Sequence, residues 1–374
     1  MPRVLMSINA AWNVVNFRAA LVRALSGEDG HQVIAAVPDD GALDKVAALG
    51  ARPVALAMTS GSTSIFGDLA LFWRYLRLMR RERPDIYLGW TIKPNTYGSL
   101  AARLCGVPRI NNISGLGTAF IRTGWLTRIA SALYRLGLGG SSTVFFQNAD
   151  DAALFRRLGL VRQSQIVLLP GSGIDLAHYD PTRFPPRAPD GEFRFLLIAR
   201  LIRDKGVHEF VAAARLLRAR HPHLRWQLLG FLDVDNRTAI DRATLDGWVA
   251  EELVEYLGAA EDVRGHIAAA DCIVLPSYRE GLSRVLLEAA AMERPAIASD
   301  VPGCRDVVCD GETGLLCQVQ DAASLAEAMT RMAALPEAAR AAMGRAARVQ
   351  AGARFSEGAV IAAYRTAIAQ ALGR

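Results

Sequence analysis

The chain has 374 residues, 51% of them hydrophobic, and its 43 Lys and Arg against 37 Asp and Glu leave a formal charge of +6. That length exceeds what one core uses and predicts two domains, and the apolar fraction excludes a disordered chain. A basic balance, with a pI near 9.3, calls for an anionic partner: nucleic acid, anionic lipid or a phosphorylated ligand.

The N-terminal "MPRVLMSINAAWNVVNFR" has an apolar run too short and too often interrupted to be read as a signal peptide. From Arg3 onward, short β-branched runs alternate with helix-length segments. The first seven predicted strands are Arg3–Ile8, Gln32–Val37, Pro53–Ala57, Asp85–Trp90, Arg109–Ile113, Thr143–Gln147 and Ile166–Leu169, with helical patterns at Phe17–Leu25, Gly67–Arg83 and Leu126–Leu136 between them. Near-continuous apolar strands separated by helices are the pattern of a parallel sheet covered on both faces. "DPTRFPPRAPDGE" then brings proline and charge and reads as a linker. After it the alternation restarts with strands at Phe193–Ala199, Trp226–Gly230, Val254–Gly258, Cys272–Pro276, Pro295–Ser299 and Thr313–Cys317, and the tail from Glu337 to Arg374 reads as helical throughout. The expected organisation is an N-terminal domain over 1–180, a linker over 181–192, a nucleotide-binding domain over 193–352 and a C-terminal helix over 353–374 packing back on the first domain.

The five cysteines are odd in number and none has C-x-x-C spacing, which favours reduced buried thiols over disulfides or zinc. No uninterrupted apolar stretch is long enough to span a bilayer. Two tandem doubly wound sheets also suit a dinucleotide oxidoreductase, but no G-x-G-x-x-G follows any strand, and Gly171-Ser-Gly173 lacks the third glycine.

Chemistry concentrates in two stretches of the second half. In "IARLIRDKGVHEF", Arg200 stands just past a strand and Lys205 just before a helix opening at Gly206. Two cations beside a helix N-terminus suit a diphosphate, with charge from the side chains and donors from the free amides; two solvated surface cations would look the same in sequence. In "CIVLPSYREGLSRVLLEAAAM", Glu280 sits in the turn, Gly281 lets the backbone approach a ligand, Ser283 is the N-cap, and the amides of Leu282, Ser283 and Arg284 are the unpaired ones. Glu288, between "VLL" and "AAAM", has apolar neighbours unlike those of a wet face, so it needs a partner, and a ligand hydroxyl pair is a suitable one.

Glu280 and Glu288 form an E-x₇-E element, and with the "ARLIRDKG" loop and "LPGSGIDLAHYDP" the chain resembles, over nearly its whole length, the retaining glycosyltransferases of family 4. That resemblance implies an α/β chain of GT-B architecture, with two Rossmann-like parallel-sheet domains and the active-site cleft between them. It implies a nucleotide-sugar donor, most naturally a UDP-sugar, held by the second domain. Arg200 and Lys205 would hold the diphosphate, Glu280 with amides of Gly281, Leu282 and Ser283 the sugar, Glu288 the ribose hydroxyls, and the stretch from Leu257 to Val263 the base. No separate nucleophile is called for, because family members retain anomeric configuration and the departing phosphate takes the acceptor's proton. No cofactor or essential metal is expected; the "DVD" of Asp233–Asp235 falls in a loop and reads as a polar turn.

Two departures stand out. A glycine-rich turn is common in the family after the first strand; here "NAAWNVVNFR" supplies Asn9, Asn13 and Asn16 as side-chain amides instead. Where many relatives have a histidine after the fifth strand, "NNISGLGTAF" places Ser114, a change of sugar contact with the charge-stabilising groups intact. Lys93 and Asn95, after the fourth strand, are candidates to meet an acceptor diphosphate.

The first half also carries basic amphipathic helices. "FGDLALFWRYLRLMRRERP" sets Phe66, Leu69, Phe72, Trp73, Leu76 and Met79 at helical spacing beside five arginines, and "FIRTGWLTRIASALYRLGLG" sets Trp125, Ile129, Leu133 and Leu136 beside Arg122, Arg128 and Arg135. Such helices lie on anionic membranes, or bury the apolar stripe and leave arginine to water. With the positive charge, the membrane reading explains more. It implies a lipid-linked glycan on polyprenyl diphosphate as acceptor, no nucleic acid, and a cytoplasmic protein peripheral to the inner membrane face. "TIKPNTYGSLAARLCGVPRINNISGLGTAFIRTG" strengthens it by its resemblance to bacterial transferases of capsule, O-antigen or glycoprotein assembly. A soluble transferase with a small-molecule acceptor, a sugar-nucleotide epimerase and a non-catalytic sugar-nucleotide sensor are the alternatives.

Overall fold

The computed structural model describes residues 1–58, 65–115, 125–185, 187–188, 190–232, 236 and 238–373, with side chains omitted at 65 and 125–130. The chain forms two compact units, Met1–Gly173 with Glu357–Arg374, and Ile174–Ser356.

The first unit is built on β1 (Arg3–Ser7), β2 (Gln32–Val37), β3 (Arg52–Ala55), β4 (Ile86–Trp90), β5 (Arg109–Ile113), β6 (Thr143–Phe146) and β7 (Ile166–Leu168), in the order β3-β2-β1-β4-β5-β6-β7. The second is built on β8 (Phe193–Ile198), β9 (Leu224–Leu229), β10 (Glu255–Tyr256), β11 (Cys272–Leu275), β12 (Ala296–Ser299) and β13 (Gly314–Cys317), ordered β10-β9-β8-β11-β12-β13. Every strand pairing within the two sheets is parallel. Strands β4, β5, β11 and β12 are buried along their whole length, because helices cover both faces. Strand order reverses between β1 and β4 in one sheet and between β8 and β11 in the other. At such switch points the neighbouring crossovers diverge and leave a crevice at the carboxyl ends of the strands.

The unit boundaries differ from those expected. The chain changes unit at 173–174 and again at 356–357, not across a linker at 181–192. The Ile174 amide donates to the Phe355 carbonyl at 2.7 Å, and Ile174 and Tyr179 join the core that contains Leu196, Ile273 and Leu286. The proline-rich stretch is tied down within the second unit, with Arg187 paired to Asp271 at 2.8 Å. The helical tail is likewise interrupted: Phe355 is buried, and Glu337–Arg354 and Glu357–Ala371 are separate helices in different units. In the first unit, Tyr364 of the last helix packs its ring against Trp90 and Phe145 and accepts a hydrogen bond from Asn112 at 3.0 Å, while Arg365 pairs with Glu28 and Asp29.

Candidate active site

The second unit places its polar side chains at the carboxyl ends of β8 and β11, the two strands that flank its switch point. After β8 the chain makes a tight turn at Arg203–Lys205 and enters the helix Val207–Leu217 through Gly206, whose φ is +72°. Among the described residues no side chain caps that helix, so its first amides point out of the N-terminus beside Lys205. After β11 the chain passes Ser277 and Tyr278 to Glu280, and the Tyr278 amide donates to the Asp204 carbonyl at 2.9 Å, which stitches the two loops together. Lys205 Nζ forms an ion pair with Glu280 Oε1; both side chains are largely buried, with 21% and 13% of their surface left.

A third loop holds the Glu280 turn from behind. The Glu280 amide donates to the Pro302 carbonyl at 3.3 Å and the Ser283 amide to the Gly303 carbonyl at 3.0 Å. Gly303 has a φ of +79°, and a Cβ there would sit 2.6 Å from the Glu280 carbonyl oxygen, so only glycine fits this approach. The pairing of Ser283 corrects the expectation that its amide is open to a ligand. Its hydroxyl does cap the helix Arg284–Ala291, accepting from the Leu286 amide at 3.3 Å. The Leu282 amide has no hydrogen-bond partner among the described residues and can donate to a ligand.

Glu288 lies more than a helical turn in from that cap and retains 8% of its surface. Its partners lie within the chain: Tyr179 donates its hydroxyl to Oε1 at 2.8 Å and Arg284 donates Nε to the same oxygen at 3.0 Å. Burial, with the Glu288 charge close by, pushes the Tyr179 phenol up, so it stays protonated and donates. Arg200, the second residue past β8, is exposed and makes no ion pair among the described residues. Lys205 and Glu280 are thus brought together, Glu288 is built into a separate buried cluster, and Arg200 stands past the strand end with its side chain in no hydrogen bond or ion pair among the described residues. Leu257 and Val263 are half-buried against the same core.

Gly206 carries a prediction of its own. A Cβ at this position would lie 2.1 Å from the Pro276 carbonyl, and its left-handed backbone alone costs a non-glycine residue about 1 kcal/mol. Gly206→Ala is expected to lower the melting temperature by several degrees and to weaken nucleotide binding together with it, because the turn it closes aims Lys205. A variant that melts and binds like the native chain would show that this turn tolerates a side chain.

In the first unit, the residues expected near the acceptor are mostly engaged. Asn95 is fully buried; it donates to the Asn112 carbonyl at 2.8 Å and accepts from Asn111 at 2.8 Å. Both ends of its amide are therefore consumed by a buried network with Ser99 and Ser141, which corrects its assignment as an acceptor contact. Lys93 is paired to Asp68 at 2.8 Å with 16% of its side chain exposed, and Tyr97 donates to the same carboxylate at 3.0 Å. Asn13 donates to Asn9 at 3.0 Å, and both remain half-exposed; Ser114 donates to Asn112 at 3.3 Å.

The helix Ile65–Glu82 divides its apolar residues between core and solvent. Leu71, Tyr75, Leu76 and Met79 are buried, whereas Phe66, Leu69 and Trp73 keep 86%, 53% and 48% of their surface. Arg74, Arg77, Arg80 and Arg81 continue the same exposed face toward the C-terminal end. In the helix Trp125–Leu138, Leu133 is half-buried and Leu136 exposed, while Arg135 is tied to the Leu158 carbonyl at 2.9 Å. Arg122 falls outside the described residues, as do Asp233–Asp235, and so do the side chains of Trp125, Arg128 and Ile129. No described helix is long and apolar enough to cross a membrane. The five cysteines are free thiols, and burial holds those of Cys272, Cys304 and Cys317 up, the last to about 11, so none of these three is poised as a nucleophile.

Two Rossmann-like parallel-sheet units, with an ion-paired lysine and glutamate at the switch point of the second, define a GT-B protein. Residues 14–171 match the model described as a glycosyl transferase 4-like domain, and residues 192–334 match the model for glycosyl transferases group 1. The chain belongs to this glycosyltransferase family. It is 27% identical, over 85% of its length and 86% of the relative's, to the N,N'-diacetylbacillosaminyl-diphospho-undecaprenol alpha-1,3-N-acetylgalactosaminyltransferase of Campylobacter jejuni. It is 36% identical to a D-inositol 3-phosphate glycosyltransferase of an Arthrobacter species, over 48% of this chain and 44% of that one. In fold it superposes on the Anabaena protein Alr3699/HepE, solved in complex with UDP and glucose, with a TM-score of 0.78, 17% identity, and coverage of 99% and 100% of the two chains.

Proposed function

We propose that this glycosyltransferase is retaining and metal-independent, and that it moves a hexose or N-acetylhexosamine from a UDP-sugar to a polyprenyl-diphosphate-linked glycan. The observation that carries the reading is the Lys205–Glu280 pair at the carboxyl ends of β8 and β11, beside the uncapped start of the helix Val207–Leu217. As the bond between the sugar's C1 and the β-phosphate oxygen breaks, its electron pair stays on the diphosphate. Lys205, Arg200 and the helix amides are the groups that stabilise this developing charge, and because they are preorganised they act on the transition state more than on the ground state. The acceptor hydroxyl oxygen bonds to C1 on the face the phosphate leaves, and its proton passes to a phosphate oxygen. The products are UDP and the extended glycan. Glu280 orients the sugar, the Leu282 amide donates to it, and Glu288 takes the ribose hydroxyls.

The lipid-linked acceptor is favoured by a relative that aligns over both halves of the chain, and by the exposed face of the helix Ile65–Glu82, which offers apolar side chains and arginines together. On this reading the protein works on the cytoplasmic face of the membrane. The small-molecule alternative rests on a relative that spans under half of either chain. A panel of UDP-sugars incubated with a synthetic lipid-diphosphate monosaccharide, or with D-inositol 3-phosphate, decides between them. Label is expected in the lipid product, undiminished by EDTA, with the donor's anomeric configuration by NMR. Label in the inositol product alone would overturn the acceptor, loss with EDTA the metal independence, and inversion the stereochemistry.

A further inference from the structure

We infer that Tyr179 and Arg284 are positioning residues for the nucleotide, acting through Glu288. Both donors converge on one oxygen: the Tyr179 hydroxyl at 2.8 Å and Arg284 Nε at 3.0 Å fill the two lone pairs of Oε1. Oε2 accepts no hydrogen bond among the described residues. The carboxylate is thus locked in rotation with a single oxygen left to accept, and a vicinal diol supplies the two hydroxyl donors that oxygen can take.

The lock is itself held. Arg284 lies on the same helix as Glu288 at i, i+4, with its guanidinium 5.9 Å from the centre of the Tyr179 ring. Tyr179 is 7% exposed, and its backbone is strapped down by Arg348, which donates to the carbonyls of Tyr179 at 2.7 Å and Leu176 at 3.0 Å. The same guanidinium donates to the Ala291 carbonyl, at the far end of the helix that carries Glu288. One arginine therefore fixes the tyrosine turn against the glutamate helix. A carboxylate with one face free pays less ordering entropy when a diol arrives than one that must first choose a rotamer.

This inference rests on the nucleoside-diphosphate reading of the second unit, and its test separates the two. Calorimetric titration of the full chain with UDP and with 2′-deoxy-UDP compares native protein with Tyr179→Phe and Arg284→Met. The native chain is expected to prefer UDP. Tyr179→Phe loses about five- to tenfold in affinity for UDP and little for the 2′-deoxy analogue, so the discrimination collapses; KM for the UDP-sugar rises with kcat nearly unchanged. Arg284→Met behaves the same way and serves if the tyrosine variant fails to fold. Native discrimination that survives in both folded variants, or an equal loss for both ligands, overturns the positioning role alone. A native chain that binds neither ligand, or does not discriminate between them, overturns the ribose reading as well.

Discussion

Lys205→Ala is expected to lower the rate of sugar transfer about a hundred- to a thousandfold, the usual cost of removing one preorganised donor to a developing oxyanion. The geometry explains why this residue should matter more than the other cation. Lys205 lies at the end of the turn that opens the helix Val207–Leu217, four-fifths buried and in contact with Glu280, so its charge acts in a poorly screened setting. Arg200 is exposed, and water screens it; its alanine variant is expected to lose less. The ion pair complicates the measurement, because deleting one partner leaves the other charge buried and unmatched. The double variant Lys205→Ala with Glu280→Ala removes that penalty. If it regains stability but not the activity that Glu280→Ala alone retains, the lysine's role is in the reaction. Single-turnover rates at saturating UDP-sugar, with a melting curve for each variant, give the answer, and a Lys205→Ala chain that transfers at the native rate would end the site assignment.

The second large effect is expected at the membrane. Replacing Phe66, Leu69 and Trp73 together by serine should reduce partitioning onto vesicles of phosphatidylglycerol and phosphatidylcholine by about a hundredfold or more. Each side chain contributes about 1 kcal/mol or more when its exposed apolar surface enters the headgroup region. The same face ends in arginines, each adding about 1 kcal/mol near an anionic surface, so the native chain should also dissociate as salt rises. Because the three side chains are exposed and the helix packs through Leu71, Tyr75, Leu76 and Met79, the triple variant should melt as the native chain does. Its activity on a short water-soluble acceptor should survive, while activity on vesicle-borne acceptor falls. Equal sedimentation of native and triple-serine chains with vesicles would remove the membrane from the proposal.

Much of this could be read along the chain. Each strand of the two sheets coincides with a run picked out by its β-branched and apolar content, to within a residue or two at either end, since a strand buried on both faces must be apolar wherever it goes. The Ser283 cap and the Gly206 turn were legible for a related reason: each is a local rule involving a few consecutive residues. Lys205 is marked by its place before a helix start and Glu280 by its spacing from Glu288, and their meeting across 75 positions is what the fold adds.

What sequence did not disclose depends on partners far apart in the chain. Glu288 needed a partner because its neighbours are apolar, but nothing local names Tyr179, 109 positions away. In sequence Asn95 reads as a loop residue free to meet a ligand; its burial follows from the placement of Asn111 and Asn112 in the adjacent strand β5. Helical spacing in Ile65–Glu82 could not say which apolar residues face the core, since stripes wider than the contact are common. The proline-rich stretch reads as a linker on composition, and its tie to the second unit through Arg187 and the distant Asp271 is invisible locally. Periodicity and local turn chemistry are properties of neighbours in sequence and determined the elements. Which buried polar groups find each other, and which apolar side chains are left in water, depends on distances closed only by tertiary packing.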